Sequence, residues 1–547
     1  KNAHHKEAVR LPAPEQISVQ SAQQKQSGGG LMTVQSAPIS QSSVSQVFLS
    51  KQAPTMNAYQ AVELTPGANV SSGDPFGISN NQTITIRGLA GNQVGQLWEG
   101  MPVNDIEAYG GYPSYWADTE DIGSVTLVPG STDIDTPVIT SAGGYTSVKF
   151  RDPSIKKGGM LNFTYGNHNT ERVFARLESG MIGNTGLRMF VSYSHMNSNN
   201  TYGAGRNGRE HADFKALKEW GKGNSVSLAA SFSDMTIIDN IRPTLDEWNT
   251  LGRGNRRDGT YTFGDTNYYK LNRAPWRQIM VSAPSHLVLA HNWTVDITPY
   301  FLYAIGNSPG GATLSTTGNY YGTQAVDSLN IPNAVNGTGT VLADYDSQQR
   351  VGGINASSKL DLGRHNTLQF GAWYQYSLDN ESIPYSAVSA NGSPYSIWAS
   401  HDITTSTGQK YYSQQDHTVT QIATLYLSDT LHLLHDKLDI SGGFRAQMIN
   451  RAGTNELPGP QYHVGANYFI PMPRVTLKYK LNEKSFIFAN GMTSSVTPTD
   501  DVLYDSYDGN TIGGAANPTL KPQYTISEEL GYRYYGKIIR GGVTLFN

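Results

Sequence analysis

From about residue 154 onward, apolar and polar side chains alternate in segments of about ten residues, and the connections between segments alternate short and long. Val173, Ala175 and Leu177 share one face, while Arg172, Arg176 and Glu178 share the other. Leu187, Met189, Val191 and Tyr193 oppose Arg188, Ser192 and Ser194, and Val226, Leu228, Ala230 and Phe232 oppose Ser225, Ser227, Ser231 and Ser233. The pattern recurs at 368–376, 438–446 and 475–481. There are about fifteen such segments, each as long as a tilted β-strand must be to cross a bilayer. Short connections fall near 183–184, 221–224, 363–366, 432–437, 481–484 and 535–537. Long ones fall at 197–208, 234–266, 306–344, 380–415, 450–472 and 494–523. A membrane barrel has short turns at one rim and long loops at the other. A soluble sandwich or propeller has no reason to sort its loops by parity.

Composition agrees with that reading. Only 38% of the 547 residues are hydrophobic, a low share for a globular chain of this length. A wide barrel needs apolar residues only on its outward face, which accounts for the deficit. A large secreted all-β protein would share the composition but not the loop pattern. No apolar run approaches the ~18 residues of a transmembrane helix. With no cysteine there is no disulfide framework, thiol catalysis or zinc–thiolate site. A net charge of −4 argues against a nucleic-acid binder and a polybasic membrane-surface protein. No phosphate-binding Gly-rich loop, H-E-x-x-H or G-x-S-x-G is present, and the histidines lack metal-site spacing. The chain is therefore expected to be no enzyme, with no catalytic residue and no metal site. Starting at Lys1, without Met or a signal peptide, it is expected to be a processed or trimmed form.

The first 153 residues differ in character. Residues 1–30 are polar, Gln/Ser-rich and end in Gly28-Gly29-Gly30, the composition of a flexible tail. M-T-V-Q (32–35) is a strand candidate, 45–51 a strand or helical turn, and 58–64 a short helix before T-P-G-A-N-V (65–70). T-I-T-I-R-G-L (83–89), L-W-E-G-M-P-V-N (97–104), I-G-S-V-T-L-V-P-G-S (122–131) and S-A-G-G-Y-T-S-V (141–148) read as short strands stopped by Gly, Pro or Asn. A small mixed domain precedes a long run of strands able to contain it.

In this order, M-T-V-Q-S-A-P, T-P-G-A-N-V, I-T-I-R-G, E-G-M-P-V-N, I-G-S-V-T-L-V-P-G-S, the Gly143-Gly144 pair and N-P-T-L-K-P-Q-Y-T-I-S-E-E-L-G-Y-R (517–533) resemble the TonB-dependent outer-membrane receptors. The resemblance spans 31–547. It implies an all-β membrane protein of the bacterial outer membrane: an N-terminal α/β plug (31–153) inside a large transmembrane antiparallel β-barrel (154–547). It implies active uptake of a scarce ligand, with a ferric siderophore as first candidate and cobalamin, haem or an oligosaccharide as alternatives. Iron would enter only within the transported chelate, not as a cofactor. A passive porin or surface adhesin is the reading from another class. Three departures stand out. Pro129-Gly130-Ser131 replaces the family's Arg-Gly-Pro, which puts in doubt any plug salt bridge from an Arg at 129. About 22 strands are expected for such a barrel, but about fifteen are found. The chain also ends in G-G-V-T-L-F-N without the terminal aromatic strand, so it is expected to be partial, since an open barrel leaves unpaired edges in lipid. Finally, the tail is too short for the extra signalling domain of some members.

The resemblance also assigns roles. Glu15, Gln16, Ile17, Ser18 and Val19 are similar to the TonB box, an extended segment that the partner TonB would capture by adding it to a sheet edge; residues 31–35 are the alternative box. Arg87, in the family's R-G position, would pair with a lumen-facing carboxylate of the wall. Glu529 is preferred over Glu528 because it lies opposite Ile526 and Leu530 in the alternation, and a solvated Arg87 without a partner is the other reading. Tyr109, Tyr112, Tyr115 and Trp116 fall at the plug apex, where they would either capture a bulky ligand or pack the plug against the wall. Residues 73–82 would form the companion apical loop. Trp248, Arg253, Arg256 and Arg257 lie in an external loop that could attract an anion. The implied partners are TonB, the ligand and outer-membrane lipid, with no nucleic acid.

Overall fold

Alternation with period two settles the wall, because each strand must offer one face to lipid and the other to the lumen. The computed structural model describes residues 27–33, 35–79, 82–130, 132–201, 203–239, 244–251, 259–536 and 538–547. The plug contains β1 (Ser42–Ser45), β2 (Ala68–Ser72), β3 (Gln82–Ile86), β4 (Gly95–Trp98), β5 (Met101–Pro102), β6 (Ile122–Pro129) and β7 (Gly144–Phe150). Five of these form a sheet in the order β1-β6-β7-β4-β5, parallel only between β4 and β7, and β2 and β3 pair as a separate hairpin. Two short helices cover the sheet: α1 (Gln46–Leu49) and α2 (Ala58–Val62). Helix α2 starts where it does because the Asn57 side chain accepts from the Tyr59 and Gln60 amides, while the Gln60 side chain accepts from the Asn57 amide. Val44, Tyr59, Val62, Trp98, Val125 and Phe150 form the plug core between helix and sheet. The described part of the M-T-V-Q segment is not a strand. Leu31 and Met32 form a turn after Gly29 and Gly30, both at positive φ.

The wall comprises β8 (Lys157–Gly166), β9 (Thr170–Ser179), β10 (Leu187–Asn199), β11 (Arg206–Trp220), β12 (Asn224–Ile238), β13 (Arg273–Ser282), β14 (Ser285–Ala290), β15 (Trp293–Asn307) and β16 (Gly310–Ser315). It continues through β17 (Thr338–Ala343), β18 (Asp346–Asp361), β19 (Asn366–Ala387), β20 (Tyr412–Leu433), β21 (Leu438–Asn455), β22 (His463–Asn482), β23 (Ser485–Val496), β24 (Gln523–Tyr535) and β25 (Arg540–Phe546). These 18 elements are arranged as a barrel with every register antiparallel. Brief breaks at 283–284, 308–309 and 344–345 only kink a strand, because β13 and β14 share β12 and β15 as neighbours, and β16 and β17 extend the β15–β18 hairpin. Counted as continuous strands, the wall has fifteen, as the sequence indicated. Across β10 and β11, Val191 faces Phe214 on the outside and Ser192 faces Asp213 within. The strand order is that of a closed barrel; among the described residues, β8 is registered with β9 and β25 with β24, and both end strands are largely exposed on both faces.

Several stretches read as long loops are partly strand. β19 and β20 each run 22 residues, and β21 reaches Asn455. Beyond the apolar band the outward face no longer needs apolar residues, so the alternation fades while backbone pairing continues. No described helix is long and apolar enough to cross a membrane.

Candidate functional site

The plug is fastened to the wall by charged and polar side chains on all sides. On one side Arg87 Nη2 meets Glu529 Oε1 at 2.6 Å. Glu529 also accepts from the Ser40 amide and from Asn490 Nδ2, each at 2.9 Å. Ile526 is 70% exposed on the outer face and Glu529 only 3%, as period two in β24 requires. Gly130 has φ +71, and a Cβ there would lie 2.6 Å from Arg87 Nη1, so glycine at this position lets the guanidinium reach the wall. With glycine there and proline at 129, it is Arg87 that makes the contact.

On the far side, an acidic run of the plug meets inward cations of β9 and β11. Asp118 Oδ1 pairs with Arg209 at 2.6 Å and Arg172 at 3.0 Å, Glu120 pairs bidentately with Arg172, and Asp121 pairs with Arg176 at 2.9 Å. The sequence reading missed this latch, although cations on the lumen face of β9 were visible. Burial opposes the Asp118 charge, but Arg209 and Arg172 outweigh it and hold its carboxyl well below the usual range. Asp118, His211 and Asp213 bring donor atoms within 4.8 Å of one another. Two guanidinium groups already occupy Asp118, so this is a plug latch rather than a cation site.

At the rim carrying the long loops, the four predicted aromatic residues divide. Tyr109 is fully buried with φ 59; its hydroxyl donates to the Pro498 carbonyl at 3.1 Å and accepts from Arg451. It packs with Trp373, Ile422 and Leu503 of the wall and loop. Tyr112, Tyr115 and Trp116 instead line a cavity of about 220 Å³ together with Asp105, Trp276 and Gln349. Tyr115 and Trp116 are buried and Tyr112 is half-buried. A second cavity of about 400 Å³ lies beside Glu381, Asp416, Asp500, Tyr504 and Tyr507. Residues 15–19, 253, 256 and 257 and the Trp248 side chain lie outside the described residues.

The mouth is acidic. Asp105 and Glu107 come from the plug apex, Asp379 and Glu381 from the inner face of β19, and Asp500 from the loop before β24. The outer face of β19 passes from Leu368, Phe370, Ala372, Tyr374, Tyr376 and Leu378 to Asn380 and Ser382, which places Glu381 beyond the apolar band and Asp379 at its edge. Burial raises the carboxyls of Asp105, Glu107, Glu381 and Asp500. Glu381 is pushed up to about 11 by burial and by Asp379, Glu107 and Asp500. Asp500 is pushed up to about 7 by burial despite the pull of Arg451.

A folded plug filling a membrane-spanning barrel, with aromatic and acidic cavities at one rim, defines a plugged transmembrane barrel. Residues 219–547 match the family described as TonB dependent receptor-like, beta-barrel, and residues 33–143 match the TonB-dependent Receptor Plug Domain. The chain belongs to the TonB-dependent receptor family. Among solved structures it is similar to the unliganded ferric citrate transporter FecA (14% identity, TM-score 0.67, covering 93% of this chain and 69% of that one). It is also similar to the ferric-catecholate import receptor Fiu of E. coli K12 in its closed form (14%, 0.67, 95% and 76%) and the ferric yersiniabactin uptake receptor FyuA of Yersinia pestis (16%, 0.62, 93% and 72%). No curated protein matches the chain.

Proposed function

We propose that this protein is a bacterial outer-membrane receptor that imports a scarce ligand, with a ferric siderophore as first candidate, when TonB pulls on the plug. One observation carries the reading: the lumen is occupied by a plug held against the wall through ion pairs and hydrogen bonds, with no disulfide between them. A passive pore needs no such stopper. The ferric complexes named for the structurally similar receptors make a ferric chelate the first ligand to test. Iron enters as cargo inside the chelate. Glu15 to Val19 serve as the segment TonB captures, adding as a strand to a sheet edge of the partner.

Two measurements test this. Titrating the receptor with ferric and iron-free siderophores should give saturable quenching of tryptophan fluorescence by one ferric complex alone, because Trp116 lines the apical cavity. No response across a broad siderophore panel would remove iron and leave cobalamin, haem or an oligosaccharide as the cargo. Deleting residues 15–19 should leave binding intact and abolish uptake, whereas normal uptake by the deletion would disprove the box.

A further inference from the structure

Among the described residues, the mouth concentrates carboxylates with few cations beside them. Asp105, Glu107, Asp379, Glu381 and Asp500 bear on one another electrostatically. Arg451 is the cation acting on Asp500, but its two terminal nitrogens already donate to the Pro498 carbonyl and the Tyr109 hydroxyl. Asp500 is only 5% exposed, and its Oδ1 is buried without a hydrogen-bond partner. Glu381 is buried against the Tyr345 hydroxyl and the carboxyls of Glu107 and Asp379. Asp500 and Glu381 both line the 400 Å³ cavity. Carboxylates buried with so few donors are strongly disfavoured in the ionised form. Glu381, pushed furthest, holds a proton in the empty receptor, which an entering cation would displace.

The spacing of the cluster indicates which cation fits. A hard metal ion needs several oxygens converging at about 2.0–2.6 Å. Among the described residues, only Asp118, His211 and Asp213 bring three such donor atoms within 4.8 Å, and they lie in the plug latch. At the mouth Glu381 touches Glu107 and Asp379, but no three of the described acids bring their oxygens that close together. A protonated amine on a flexible arm suits them, since its three N–H donors reach separate acceptors and it needs no closed oxygen shell. Tyr504 and Tyr507 border the same cavity and can offer ring faces to the cation.

We propose that Glu107, Asp379, Glu381 and Asp500 form a cation-recognition subsite that takes the protonated amine of the imported ligand. Its biological use rests on the uptake reading above, but its test does not. The receptor favours amine-bearing cargo over cargo whose outer groups are all anionic.

The probe is a linear aliphatic triamine, compared with its fully N-acetylated form, by calorimetric titration of the purified receptor in detergent. The triamine should bind saturably with a Kd at least tenfold below that of the acetylated compound. Glu381→Gln combined with Asp500→Asn should weaken triamine binding at least tenfold without lowering the thermal unfolding transition. Equal binding of the two compounds, no binding of either, or undiminished binding by the double variant would overturn the proposal. Calcium binding in place of triamine binding would overturn it too. The comparison of the two compounds on the unaltered receptor stands even if the variant misfolds. Because neither probe contains iron, failure of the ferric reading leaves this result intact, and the reverse also holds.

Discussion

Glu529 shows how much a single inward side chain decides. It neutralises Arg87 and caps the Ser40 amide, tying two separate plug segments to one wall strand. Glu529→Gln keeps the shape but leaves the Arg87 guanidinium buried without a counter-charge, which should weaken plug docking by about 3 kcal/mol. Hydrogen exchange across 82–89 should accelerate accordingly, while Glu528→Gln, on the outward face, should leave it unchanged. Unaltered exchange in Glu529→Gln would show that the pair does not hold the plug. The choice of Glu529 over Glu528 was legible because a one-residue step along a strand reverses the face. The environment of Tyr109 was not legible, since its partner Arg451 lies 342 residues away and only the closed wall brings them together.

At the scale of elements, the acidic run of the plug grips the wall unevenly along its length. Asp118 answers two buried guanidinium groups, whereas Glu120 answers one. Asp118→Asn should therefore cost more, about 3–5 kcal/mol against less for Glu120→Gln; the urea midpoint for plug release, read by Trp116 fluorescence, checks the order. The latch escaped the sequence reading because Asp118 to Asp121 follow directly on the aromatic apex, and their partners sit on strands that only the barrel register aligns. Strand ends were hidden for a related reason, as in β19, where pairing continues past the point at which lipid stops imposing a pattern. The loop before β24, which meets that upper part of β19, also sets a pH dependence. The Asp500 carboxyl, raised to about 7 by burial, is neutral below that pH and charged above it. An aliphatic amine, with a pKa of about 10.4, stays protonated throughout this range. Triamine affinity should therefore rise as pH increases from 6 to 8, and a flat profile would exclude Asp500 from the subsite.

For the whole molecule, contents and container were legible from loop parity and motif order, whereas the fit between them was not. What distinguishes a receptor from a stoppered pore is whether the plug must move against the wall during transport, and the chain offers a clean way to ask. Thr140 of the plug and Val496 of β23 face each other across an antiparallel bridge, and the Ser141 amide donates to the Ser495 carbonyl beside it at 3.1 Å. Opposed residues in such a bridge have Cα atoms about 4.5–5.5 Å apart, within the range a disulfide spans. The chain contains no other cysteine to compete. Thr140→Cys loses the bond from the Thr140 hydroxyl to the Asn92 carbonyl, at a cost of about 1 kcal/mol, which the reduced double variant should tolerate. Once oxidised, Thr140→Cys with Val496→Cys should bind ligand with unchanged affinity and import none, and a reductant should restore import. If the tethered form imports at the full rate, ligand passes without the plug leaving β23, and the moving part must lie on the side held by Arg87 or by Asp118.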